Sequence, residues 1–292
     1  MTHQTYHWPN PHDLYPDRNG KSYRMKRLRY RLRSLWHSPS IKRFETFINQ
    51  SPQLIPLLNQ HPSYSYPVAH RFLDKRFNRQ QRLAVVCENL TFLPEKLASL
   101  GLPPLWEQPM NFGEVIPDFE LFLDINHHQA MEGYWALELR YKPTGENIYL
   151  LTFGKVQNAL LIAVIQGPKS EHSKALVKQL TKKCHGLRPA YLMVEAMKAL
   201  AKTLGYQTLL GIPQKYQNKS RLIQASRYVV DYDVIFLESG GKLGEYWQLP
   251  TEFSMKELES IASNKRSMYR KRYAMLEQLA SSMQSQLNLT QL

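Results

Sequence analysis

The chain has 292 residues, of which 43% are apolar, enough to bury a sizeable core, so intrinsic disorder is excluded as the default state. Only two cysteines, Cys87 and Cys184, are present and no CxxC occurs, which argues against a disulfide framework or a structural zinc site and fits a reducing compartment. Lys plus Arg number 38 against 24 Asp plus Glu, a net charge of +14 that favours anionic partners (nucleic acid, phospholipid headgroups or phosphorylated cofactors) without choosing among them.

The first twenty residues, MTHQTYHWPNPHDLYPDRNG, have no apolar stretch and are broken by X-Pro steps; an extended tail over 1–20 and no secretory signal are expected. His3 and His7 stand four apart in this proline-rich piece, where chance is a better account than metal binding, and no metal site is expected anywhere. From Arg18 to Phe44 there are ten Lys or Arg residues and no acid. Within SYRMKRLRYRLRSLWHS, Met25, Leu28, Leu32, Leu35 and Trp36 fall at helical spacing among Arg24, Lys26, Arg27, Arg29, Arg31 and Arg33. This is a basic amphipathic helix, and an apolar stripe is expected to face the protein's own core. The alternative is that it lies on anionic lipid or another polyanion.

IKRFETFI, PQLIPLLNQH and FNRQQRLAVVCENLTFLPEKLASL continue the helical pattern, with Leu83, Val86, Leu90 and Leu93 in period along the last. Gly101 and LPPLWEQP mark a helix end and an extended linker, so a helical N-terminal region over 21–110 is expected. The period then changes. ELFLDI, YWALELRY, NIYLLTF and ALLIAVIQ read as strands, with KPTGEN as a hairpin loop between the second and third. The run ALLIAVI is far short of the roughly 20 residues of a membrane span, so none is expected and a cytoplasmic protein is, peripheral at the inner membrane at most.

SEHSKALVKQLTKKC and PAYLMVEAMKALAKTLG read as helices. The second carries Met193, Met197, Leu200 and Leu204 on one face, has Pro189 at its first position and Gly205 at its end, and is followed by the strand QTLLGI. Its N-terminus, beside Arg188 and His185, offers free N–H groups and a dipole end to an anion, with Lys169, Lys174, Lys178 and Lys182 nearby; the alternative is a solvated lysine face. SRLIQASRYV reads as helical or irregular, and DVIFLES, the glycine-rich GGKLG and EYWQLP as a final antiparallel pair. The mixed α/β core is expected over 111–250 and a C-terminal basic helix over 251–292, where KRSMYRKR brings Lys265, Arg266, Arg270, Lys271 and Arg272 together.

The order of elements from about 132 to 250, centred on GLRPAYLMVEAMKALAKTLGYQTLLGI, resembles the N-acetyltransferase-like fold. The resemblance implies an α+β protein with a mixed, mostly antiparallel sheet, an acyl-coenzyme A or acyl-carrier ligand, and a cofactor turn drawn from Gln166, Gly167, His185, Gly186, Arg188 and Tyr191. A base on a central strand would be Glu138; Glu195, Glu238 and the pair His127-His128 have no defined partner in sequence. RFLDKRFNRQQRLAVVCENL, LLIAVIQGP, YDVIFLESGG and SNKRSMYRKRY resemble, more specifically, the VirK/YbjX family of Gram-negative bacteria. That resemblance implies an association with envelope integrity, virulence or resistance to cationic antimicrobial peptides, and no established reaction. Three functions are therefore expected as alternatives: an acyltransferase-like enzyme, a peripheral protein on anionic phospholipid, or a nonspecific nucleic-acid binder.

Overall fold

A computed structural model of the chain describes residues 5–18, 20–168, 173–218 and 231–288. Lys169, His3 and the piece SRLIQASRYV lie outside them.

The N-terminal segment is not an extended tail. Asn10 caps a short helix, α1 (Pro11–Leu14), in a reciprocal box with Asp13, and Tyr6 is buried with its hydroxyl 2.6 Å from Ser65 Oγ. Helices α2 (Arg24–Trp36), α3 (Ser38–Gln50), α4 (Ile55–Gln60) and α5 (Arg79–Ser99) follow. Asn78 and Gln81 cap α5 reciprocally, Val86, Leu90 and Leu93 are buried along it, and Gly101 at φ 72° ends it as its position in the sequence implied.

Among the described residues the core is one sheet of eight strands: β1 (Met110–Ile116), β2 (Phe119–Ile125), β3 (Trp135–Tyr141), β4 (Glu146–Val156), β5 (Ala159–Gln166), β6 (Leu209–Gly211), β7 (Lys242–Leu243) and β8 (Trp247–Leu249). Their spatial order is β1-β2-β3-β4-β5-β6-β8-β7, antiparallel except for the β5–β6 pair. The class is therefore α+β with a mixed, mostly antiparallel sheet. β1 escaped the sequence reading because Gly113 and two register shifts interrupt its alternation.

Helices α6 (Ser173–Lys183), α7 (Pro189–Thr203) and α9 (Ser263–Asn288) pack on one another, with α9 also against β1. α7 packs against β3, β4 and β5 and against α9, so 11 of its 15 residues are buried. α5 docks through close approach. A Cβ on Gly154 would stand 2.5 Å from Asn89 Oδ1, and the Asn89 amide instead accepts from Lys155 N at 2.6 Å and donates to Lys155 O at 2.7 Å.

One element differs in kind from expectation. DVIFLES is a helix, α8 (Tyr232–Glu238), rather than a strand, and the terminal antiparallel pair is β7 with β8 beyond the glycines. Asp231 accepts from Val234 N at its start, Tyr232, Ile235 and Phe236 are buried while Val234 and Leu237 are exposed, and Gly240 at φ 85° closes it. A seven-residue apolar run fits either period, and here the caps on both sides decide for the helix.

Candidate functional site

The turn at the start of α7 is built by the end of α6. His185 (φ 51°) and Gly186 (φ 79°) are left-handed, and Gly186 N donates to Thr181 O at 2.8 Å. α9 lies directly on this turn: Arg272 donates to His185 O through Nε (3.1 Å) and Nη2 (2.8 Å), and a Cβ on Gly186 would stand 2.9 Å from Arg272 Nη2. Between α6 and α9 the surface opens into a groove of 710 Å³ lined by Lys178, Thr181, Lys182, His185, Arg188, Ser267, Met268 and Lys271 among others. Burial lowers the His185 imidazole pKa, and the charges of Lys271 and Arg272 lower it further, so the groove's own potential is positive.

Of the residues expected as a cofactor turn, His185, Gly186 and Arg188 share this groove. Gln166, Gly167 and Tyr191 are outside its lining: Gln166 Nε2 lies 3.4 Å from Glu132 Oε2, Gly167 abuts the Tyr149 ring, and the Tyr191 hydroxyl donates to Glu238. Lys271 was visible only as one of a basic run; that it faces α6 is a tertiary fact, since more than eighty positions separate them.

β5 and β6 pair only over Leu160–Ile162 and Leu209–Gly211, after which they part. The opening is filled from within. Gln217 Nε2 donates to Ala163 O (3.4 Å), and the Tyr232 hydroxyl both accepts from Ile165 N (3.2 Å) and donates to Ile165 O (2.7 Å). The edge groups of β5 are thus satisfied by side chains of this chain.

Glu138 sits on the sheet face opposite Trp135, in a line of charges. Arg140 Nε donates to Glu138 Oε2 at 2.7 Å, its Nη2 donates to Asp124, and His127 Nε2 stands 3.6 Å from Asp124 Oδ2 with His61 beside it. Burial alone would raise the Asp124 pKa, but the neighbouring His127 imidazole and hydrogen bonds from Ile125 N and Arg140 outweigh it and hold the carboxyl below its ordinary range. The His127 pKa is raised in turn by Asp124. With Arg140 bound to it and its side chain 4% exposed, Glu138 is placed as an ion-pair member rather than a free base. Among the described residues, no three His, Cys, Asp or Glu are grouped to hold a metal ion. Cys87 and Cys184 are free thiols, both pushed up by burial to about 12.

The basic helix α2 reverses the expected orientation. Met25, Leu28, Leu32, Leu35 and Trp36 are 62, 47, 58, 72 and 73% exposed, while Arg27 and Tyr30 are 7 and 1% exposed on the buried side. Arg27 donates to both Asp17 oxygens (2.8 and 3.1 Å) and to Tyr15 O; Tyr30 stacks on Trp8 and donates to Pro9 O at 2.7 Å. The N-terminal segment therefore occupies the face of α2 that the apolar stripe was expected to fill. Arg24 and Arg31 flank the exposed stripe on one side and Lys26 and Arg29 on the other, all four exposed.

Comparison with known proteins supplies relatives but no solved structure, since none matches. The model of the family described as "Protein of unknown function (DUF535)" matches residues 19–285. The chain belongs to the DUF535 family. An "Uncharacterized protein" of Haemophilus influenzae is 62% identical over 288 residues, covering 99% of this chain and 98% of its own. "Membrane protein LapB" of Mannheimia haemolytica is 69% identical over 215 residues, 74% of this chain and 95% of its own, and "Uncharacterized protein YbjX" of Escherichia coli is 26% identical over 281 residues, 90% and 83%. The YbjX match accords with the VirK/YbjX resemblance. Among the described residues of this DUF535 chain, no helix is long and apolar enough to cross a membrane.

Proposed function

We propose that this DUF535 protein is a peripheral membrane protein that docks on an anionic phospholipid surface through α2. The observation that carries the reading is the solvent-facing stripe of Met25, Leu28, Leu32, Leu35 and Trp36. A helix that packs its apolar face inward has no use for such a stripe; one that lies in a headgroup layer buries it there while its flanking cations meet phosphates. Each basic residue near an anionic surface adds about 1 kcal/mol, and each large apolar side chain about 1.5–3 kcal/mol when fully buried. Arg24, Lys26, Arg29 and Arg31 with the five apolar side chains thus suffice for reversible binding. Because the buried face is pinned by Tyr30 and Arg27, α2 is presented as a preformed surface and little ordering entropy opposes docking. The name of the Mannheimia relative, "Membrane protein LapB", agrees with this reading, as does the envelope association implied by the VirK/YbjX resemblance.

The exposed stripe favours a bilayer over nucleic acid, which needs the cations but not the apolar residues. An acyl-coenzyme A ligand, and an acyltransferase activity with it, is the weaker reading. The extended amide arm of such a cofactor would require the β5 edge groups that Gln217 and Tyr232 occupy.

Liposome flotation decides the matter. The protein floats with vesicles containing phosphatidylglycerol and stays down with pure phosphatidylcholine, and Leu32→Glu with Trp36→Glu abolishes flotation. Charge reversal belongs at Arg24, Arg29 and Arg31 and not at Arg27, whose loss would unpair Asp17. Unchanged flotation of these variants would refute the assignment.

A further inference from the structure

We propose that the groove between α6 and α9 is a binding site for a phosphomonoester or pyrophosphate group. Lys178, Lys182, His185, Arg188 and Lys271 converge on it from α6, the turn and α9, and among the described residues no acidic side chain lines it. Several other cations of the protein are engaged. Lys183, on α6 itself, bonds Asp118 at 2.7 Å, Lys155 bonds Glu88, Lys202 bonds Glu252, and Arg272 is spent on His185 O. Among the described residues, by contrast, Lys178, Lys182, Arg188 and Lys271 have no carboxylate within 4.0 Å. Gathering like charges around one concavity raises the energy of the empty protein and lowers that of a bound anion.

The donors fit a phosphate in particular. The Arg188 guanidinium, beside the Tyr191 hydroxyl, is a planar fork for two oxygens, the lysines are point charges that neutralise a dianion, and Ser267 brings a hydroxyl to the same lining, whereas the Thr181 hydroxyl donates to Val177 O. At 710 Å³ the groove is far larger than a bare phosphate, and Met268 provides an apolar wall for the remainder of an organic ester. The first turn of α7, whose N-cap Arg188 makes no side-chain cap, adds its dipole end to the same field. This site is separate from α2, and it is also separate from the β5–β6 opening, which side chains fill.

The test is calorimetric titration of the full chain with inorganic pyrophosphate at low and physiological salt, repeated with dihexanoyl phosphatidic acid and dihexanoyl phosphatidylcholine. Saturable binding is expected, weakened at least tenfold by Lys182→Gln/Lys271→Gln. It should survive Lys42→Gln/Lys96→Gln, which removes the same charge elsewhere on the surface, and Leu32→Glu, which tests α2 alone. Displacement by the phosphatidic acid and not by the choline lipid identifies a lipid headgroup as the source of the phosphate; failure of that lipid to displace pyrophosphate identifies a soluble ester. The proposal is overturned if neither phosphate compound binds, if the groove variant binds within twofold of the parent, or if the control variant weakens binding equally. The substituted lysines are all exposed, so the variants are expected to fold, and unchanged melting temperatures verify it.

Discussion

Lys198 is completely buried, yet its ammonium has three partners at 2.9 Å: Glu195 Oε1, Ser239 O and Ser254 Oγ. Burial pushes the Glu195 carboxyl up and the Lys198 charge opposes it, so the pair holds together only while both members are present. Lys198→Met is expected to destabilise the protein by about 3–5 kcal/mol, because it strands a buried carboxylate. Glu195→Gln/Lys198→Met recovers part of that loss; the denaturant midpoints of the two variants are the measurement. The Asp124–His127 contact makes a prediction of its own. Since the folded His127 pKa is raised, its contribution to stability is full below the ordinary imidazole value of about 6.5 and is lost as pH rises through the folded pKa. Asp124→Asn removes the cause, and a histidine NMR titration should then find His127 no longer above its ordinary value. Neither arrangement was legible beforehand. In the sequence Glu195 has no defined partner, and only the coverage of α7 by the sheet and α9 makes its i, i+3 contact with Lys198 a buried pair.

At the scale of elements, α2 and α7 are instructive together, because both carry an apolar stripe and the structure places the stripes oppositely. Periodicity identifies a face; it does not say what meets that face. For α7 the stripe meets the sheet, with Met193, Met197 and Leu200 all buried. For α2 the other face is occupied by Trp8, Asp17 and Tyr15, and the stripe is left in solvent. Leu32→Glu should accordingly leave the melting temperature within about 2 °C, surface changes being worth about 0.5 kcal/mol or less. Tyr30→Ala should cost about 3–5 kcal/mol through the cavity it leaves. If thermal melts found the opposite order, the orientation of α2 would be wrong. α8 is decided by its ends: Asp231→Ala removes the cap on Val234 N and is expected to cost about 1 kcal/mol, read from chemical denaturation.

Across the whole molecule, the helical N-terminal region is tied to the sheet by buried polar bonds. Tyr64 stacks on Tyr134 at 4.9 Å, donates to Asn126 O at 3.0 Å and accepts through its own carbonyl from the Tyr134 hydroxyl at 2.8 Å. Leu73 N donates to Met131 O, and Asp74 receives both Arg76 and the Tyr246 hydroxyl. Such contacts make the two regions unfold together, so tryptophan fluorescence and circular dichroism are expected to give coincident transitions. Tyr134→Phe, which leaves the buried Tyr64 carbonyl without that donor, should move both transitions down by the same amount, about 1–3 kcal/mol.

What the sequence determined by itself was whatever depends on local periodicity and chemistry: the helices α3, α5 and α7, the strands from β2 to β6, the KPTGEN hairpin, the basic character of α2 and α9, and the nearness in sequence of Lys178, Lys182, His185, Gly186 and Arg188, which line the groove. These follow from spacing, capping and turn residues within a few positions of one another. Only the tertiary structure decided which way α2 faces, that α9 brings Lys271 to α6, that Tyr232 and Gln217 fill the opening beside β5, and that Glu138 is held by Arg140. Each of those outcomes depends on residues far apart in the chain competing for one surface, and a local pattern carries no information about which competitor reaches it.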